Sequence, residues 1–148
     1  MTYLIGFVLS FASTVGFGII TNVPKRTLLP SGITGALAWL TYLALLDWNH
    51  GVILPNLGAA FVIGLLSNLL AVWVKTPVNV MYIPCLVSLV PGAIIFLSMK
   101  DFTMGQSSQA AEGLVKTITM AFALAVGFVA AEGLSRMLRP LIKRLVKA

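Results

Sequence analysis

The chain is poor in charge: ten basic and four acidic residues among 148, or 9%, where an average soluble domain carries about 25%. It holds a single cysteine and a single histidine. Each shortage excludes something. Cys85 alone cannot close an intrachain disulfide and says little about redox compartment. His50, in the turn Asp47-Trp48-Asn49-His50, has no companions spaced to hold a metal, so a loop histidine facing water or headgroups is expected. No carboxylate falls in the middle of an apolar run, and no nucleophile–base pattern stands out, so no enzyme, cofactor or carboxylate proton relay is expected.

What charge there is cuts the chain into apolar runs. None appears from Met1 to Pro24, Thr27 to Leu46, Trp48 to Val74, Thr76 to Met99, or Thr117 to Ala131. A helix crosses the bilayer core in about 20 residues. Four runs meet that length; the fifth reaches it with snorkelling flanks such as Lys116 and Glu132. With 59% hydrophobic residues and a mean hydropathy of +1.00, the sequence predicts an all-α polytopic membrane protein forming one transmembrane domain over 1–148. The predicted helices are 2–22, 30–46, 52–74, 77–99 and 114–133, followed by a basic amphipathic helix over 134–148. The first run lacks a basic start and is too long for a signal-peptide core, so no cleavable leader is expected.

The net charge of +6 is placed as a topology signal and not as a nucleic-acid surface. With the N-terminus outside, Lys25, Arg26, Lys75, Arg136, Arg139, Lys143, Arg144 and Lys147 are cytoplasmic, leaving Lys100 and Lys116 outside. The positive-inside rule favours that orientation over its reverse, with a cytoplasmic C-terminus. Leu134, Leu138, Leu141, Ile142 and Leu145 form the apolar face of a tail bent at Pro140, whose basic face attracts anionic lipid.

Small residues recur at helical spacing: Gly6, Ser10, Ser13 and Thr14; Ala60, Gly64, Ser67 and Ala71; Ala123, Gly127, Ala130 and Ala131. Such stripes let transmembrane helices approach closely. Asn68, beside the second stripe, needs a hydrogen-bond partner inside the bundle. Glu112 is placed near the start of the fifth helix, Glu132 and Arg136 form an i,i+4 pair, and Lys100–Gly113 reads as the longest extramembrane loop.

The fourth run is the unusual one. Pro77, Pro84 and Pro91 recur every seven residues, each removing an amide donor and crowding the preceding turn. The spacing predicts a kink or break over Pro84–Gly92, with a new half-helix starting near Pro91. Irregular backbone at membrane depth is tolerated where it is buried in protein or lines a cavity. A discontinuous helix of this kind offers carbonyls and a helix N-terminus to a polar solute, with Asn79 or Ser88 as further hydrogen-bond partners. A purely structural kink is the alternative.

Two stretches resemble the threonine/serine exporter family, specifically its short C-terminal-type unit: Phe17-Gly18-Ile19-Ile20-Thr21-Asn22-Val23-Pro24-Lys25-Arg26-Thr27-Leu28 and Ile83-Pro84-Cys85-Leu86-Val87-Ser88-Leu89-Val90-Pro91-Gly92. The second departs from the family's frequent glycine at Cys85 and proline at Ser88. The resemblance implies a secondary exporter in the bacterial inner membrane, working with a larger membrane subunit of the same family. Its implied cargo is a small polar or anionic metabolite: threonine, serine, or a dicarboxylate such as succinate. The substrate path is expected to involve Pro84, Ser88, Pro91 and Gly92 with Asn79. Asn22, Pro24, Lys25 and Arg26 would form a cytoplasmic-side element. A homo-oligomeric pore and a scaffold that stabilises a partner are the competing readings.

Overall fold

The computed structural model describes residues 1–48 and 51–146, with side chains described as far as Met137. The expectations for His50 and for the side chains of the basic tail beyond Met137 lie outside the described residues. Among these residues there are six helices and no strand: α1 (Thr2–Ile20), α2 (Lys25–Trp48), α3 (Ile53–Val74), α4 (Val78–Leu86), α5 (Gly92–Thr103) and α6 (Ser107–Val146). Four are long and apolar enough to cross a membrane: α1, α2, α3 and the Ser107–Met137 part of α6.

Helices α1, α2, α3, α6 and α5 pack in that order, each against the next, and α4 lies across α1, α2 and α3. The small-residue stripes are the contact surfaces. A methyl group added at Gly35 would collide with Thr14, and one at Gly6 would meet the Trp39 indole at 2.8 Å. One added at Gly64 would collide with Ala131, and one at Gly127 would meet Ala60 at 2.8 Å. Lipid tails are as apolar as leucine, so close backbone approach and dispersion, not hydrophobic burial, hold α1 to α2 and α3 to α6. The core is correspondingly fine-grained: Ala38, Ala59, Ala60, Ile63, Cys85, Leu89 and Leu124. Outward surfaces carry large apolar side chains such as Phe96, Phe102, Ile118 and Phe122.

Several boundaries differ from the sequence reading, each for a local reason. Helix α1 ends at Ile20 because Asn22 turns left-handed (φ 55°), with Val23 N–H bonding the Gly18 carbonyl and Asn22 N–H the Ile19 carbonyl. That is a Schellman cap with asparagine in the glycine position. Helix α2 begins at Lys25 and passes through Pro30, which sits inside it. The donor that Pro30 lacks would serve the carbonyl of Arg26, an exposed residue at the helix end, so the loss is small. The expected loop over Lys100–Gly113 is instead a three-residue turn. Gly105 (φ 78°) caps α5, Gln106 N–H bonds the Asp101 carbonyl, and the Gln106 carbonyl already accepts from Ala110. Helix α6 therefore starts at Ser107, leaving Glu112 beyond its first turn, and continues without interruption past Gly133.

Candidate functional site

The proline-rich run folds as two short helices. Pro84 lies inside α4, which reaches Leu86, so the interruption is residues 87–91 and begins later than Pro84. Leu89 and Val90 N–H groups both bond the Leu86 carbonyl, closing a turn. Pro91 (φ −75°, ψ 46°) then forms an inverse γ-turn in which Gly92 N–H meets the Val90 carbonyl at 2.8 Å. The left-handed freedom of glycine is not used at Gly92; what matters there is the new helix that Pro91 starts.

This turn touches polar groups from other helices. Ser10 Oγ on α1 lies 3.1 Å from both the Gly35 carbonyl oxygen and Ser88 Oγ. Ser88 and Trp39 border two small cavities, of about 220 Å³ toward Gly6, Ser10 and Ser13, and about 170 Å³ toward Tyr42, Asn56 and Pro91. Trp39 stacks on Tyr42 with ring centroids 5.1 Å apart. Cys85, fully buried, is a small filler whose thiol lies 3.3 Å from the Ser31 carbonyl oxygen.

The other expected site residues are elsewhere. Asn79 faces a different cavity on the far side of α4, about 560 Å³, bordered by Tyr82, Leu86, Phe128, Glu132 and Arg136. Asn22, Pro24, Lys25 and Arg26 are exposed in the α1–α2 connection. There the Pro24 carbonyl accepts the Thr27 hydroxyl at 2.7 Å, and Arg26 Nη2 reaches the Lys75 carbonyl, 3.4 Å away. Arg26 thus ties the end of α3 to the start of α2. The nine expected residues fall into three groups and do not form one constellation.

What the sequence reading underweighted is the polar cluster beside Asn79. Asn68 Nδ2 lies 3.0 Å from the Gly64 carbonyl, 2.6 Å from Tyr82 Oη and 3.2 Å from Glu132 Oε2. Glu132 Oε1 is 3.2 Å from Arg136 Nε. Glu132, read from the sequence as an interfacial flank, turns instead onto α3, with its side chain 35% exposed. Asn68 carried the only sequence signal, a polar residue beside a small stripe that had to find a partner.

The chain matches the family description Threonine/Serine exporter, ThrE, over residues 6–133. It belongs to the threonine/serine exporter family. No curated protein and no solved structure matches it. Membership makes it a multi-pass membrane protein of a transporter family, in keeping with its four spanning-length helices. The match covers both small cavities, the interruption and Glu132, and stops before Arg136.

Proposed function

We propose that this threonine/serine exporter family member is a membrane subunit of a secondary exporter, and that the path of its small polar cargo passes the Ser88–Pro91 turn. The observation that carries the reading is the family match over residues 6–133. Its local support is the Ser10–Ser88 contact beside an interrupted backbone, since discontinuous helices supply polar ligands in secondary transporters. On this reading α4, the turn and α5 together make a fifth crossing, and 1–148 is one transmembrane unit.

The two cavities at Ser88 are about 170 and 220 Å³, below the roughly 300–1,000 Å³ of most small-molecule sites. That size favours a site completed by a second, larger subunit of the same family. Lys25, Arg26, Lys75 and Arg136 lie at the end of the bundle where Arg26 meets Lys75 and Asn68 meets Glu132. This end is cytoplasmic and the N-terminus external if the positive-inside rule holds, in a bacterial inner membrane.

The test is mass-spectrometric efflux from cells loaded with threonine, serine and succinate, with the gene intact, deleted, or carrying Pro91→Ala. Deletion should cause retention of one solute class. Pro91→Ala, which restores an amide donor and relaxes the turn, should slow efflux while membrane insertion persists. Efflux unchanged by Pro91→Ala would remove the turn from the path. No retention of any solute on deletion would favour a scaffold role.

A further inference from the structure

Cys85 sits among hydroxyl groups that bond nothing. Thr14 on α1, Ser31 on α2 and Ser67 on α3 are at most 1% exposed, and none of their side-chain oxygens has a hydrogen-bond partner. Other hydroxyls on the spanning helices behave differently: Thr34, Thr41, Thr117 and Thr119 each bond the carbonyl one turn back on their own helix. Unpaired polar groups at membrane depth are costly, so three in one region need a reason. They gather around Gly35 and the thiol. Thr14 Oγ1 faces Gly35, where an added methyl group would collide with it. Cys85 Sγ lies 3.3 Å from the Ser31 carbonyl oxygen, with the Ser67 side chain and the Gly35 backbone beside it. The Gly35 carbonyl in turn accepts from Ser10, which contacts Ser88. These hydroxyls therefore adjoin the Ser88–Pro91 turn, on its own side of α4.

We propose that Cys85 is a specificity-determining residue that sets the length of cargo the path accepts. Its side chain fills the blind end of a polar recess running from Ser88 past Gly35 to Ser67, and the spare hydroxyls hold the hydrogen-bonding end of the cargo, or water in its absence. The inference rests on the exporter reading above, with its path at the Ser88–Pro91 turn, and adds the residue that limits size. A thiol is a weak donor and a weak acceptor, so Cys85 occupies space among the hydroxyls without satisfying them. Hydroxyls both donate and accept, so the recess takes a hydrogen-bonding end of either kind. What it measures is length. Cys85 is fully buried and cannot turn aside into an open cavity, so each atom added to the cargo at this end must displace the sulfur.

The experiment uses inside-out membrane vesicles from cells making the full chain with its native partners, and measures uptake of labelled serine and labelled succinate. Whichever is taken up is competed with its unlabelled self and with the homologue one methylene longer, homoserine or glutarate. In wild-type vesicles the homologue should compete roughly tenfold more weakly, the discrimination a pocket gives per methylene. Cys85→Gly should bring the two within about threefold, and Cys85→Ser, almost unchanged in size, should keep the wild-type ratio. A merely structural role would lower total uptake and leave this ratio where it was. Cys85 is also the only thiol in the chain, which gives a readout without substitution. Alkylation of wild-type vesicles by membrane-permeant N-ethylmaleimide should slow severalfold when the transported solute is saturating, and this holds even where Cys85→Gly fails to insert. Equal competition in wild type, a ratio unchanged in Cys85→Gly, or alkylation indifferent to the solute would overturn the assignment and leave the exporter reading intact. Absence of uptake of either solute above vesicles lacking the chain would overturn both readings.

Discussion

Asn68 on α3 and Glu132 on α6 meet side chain to side chain, 3.2 Å apart, and so join the two helices through a hydrogen bond as well as through packing. Replacing Asn68 with leucine removes every bond its amide makes and leaves Glu132 with one donor fewer. Interhelical hydrogen bonds in membranes are modest, averaging about 0.6 kcal/mol with a maximum near 1.7. Asn68→Leu should therefore lower stability by about 1–2 kcal/mol, read as a shift in the denaturation midpoint of the detergent-purified protein. A midpoint equal to wild type would mean that the cluster contributes nothing to holding α3 on α6.

The α3–α6 seam makes a sharper prediction. At Gly127 an added side chain runs into the Leu57 carbonyl and Ala60, whereas at Gly16 it meets only open space. Gly127→Val should cost about 1–3 kcal/mol, the usual penalty of overpacking, and reduce the folded, monodisperse yield on size exclusion. Gly16→Val should leave both unchanged. Equal behaviour of the two variants would contradict the packing described for α6.

Asn22 has a conformational task on this structure. It holds φ 55° and caps α1, a position glycine fills without strain. Asn22→Gly should preserve stability and efflux, while Asn22→Val should lose about 1–2 kcal/mol, the cost of left-handed backbone for an ordinary residue. Loss of efflux in a stable Asn22→Gly protein would assign the side chain a part in the substrate path.

Orientation can be read with one engineered thiol. Cys85 is fully buried, so the native chain should react little with a membrane-impermeant maleimide. Thr2→Cys should label in intact cells, as an external N-terminus requires. Labelling only after the membrane is permeabilised would reverse the topology.

Spacing of charge was enough to reveal a helical membrane protein, and the motif around Asn22–Arg26 was enough to name the family. The stripes of small residues were legible because helical periodicity puts them on one face, and each found a neighbouring helix. The short turn before α6 was not legible: Gly105, Gln106 and Ser107 have loop composition, yet left-handed backbone at Gly105 reverses the chain within three residues. The interruption, residues 87–91, lies within the expected Pro84–Gly92 but is shorter: the donor that Pro91 lacks is the one Val87 would need, whereas α4 tolerates Pro84. The pair of Glu132 with Arg136 was read correctly, but the contact of Glu132 with α3 was missed for another reason. A charged residue near the end of an apolar run looks the same in sequence whether it snorkels outward or turns onto a neighbouring helix. Here Asn68 decides it.

Among the described residues helix α5 packs on α6, with Ser98 seated against Gly113, and joins α4 through residues 87–91. In mechanical terms it is a lever borne on α6 and joined to α4 by a non-helical link. Tilting it would break no packing with α1, α2 or α3. The displacement would be delivered at that link, where Ser88 contacts Ser10 and Pro91 borders a cavity, so the geometry there follows the angle at which α5 rests on α6.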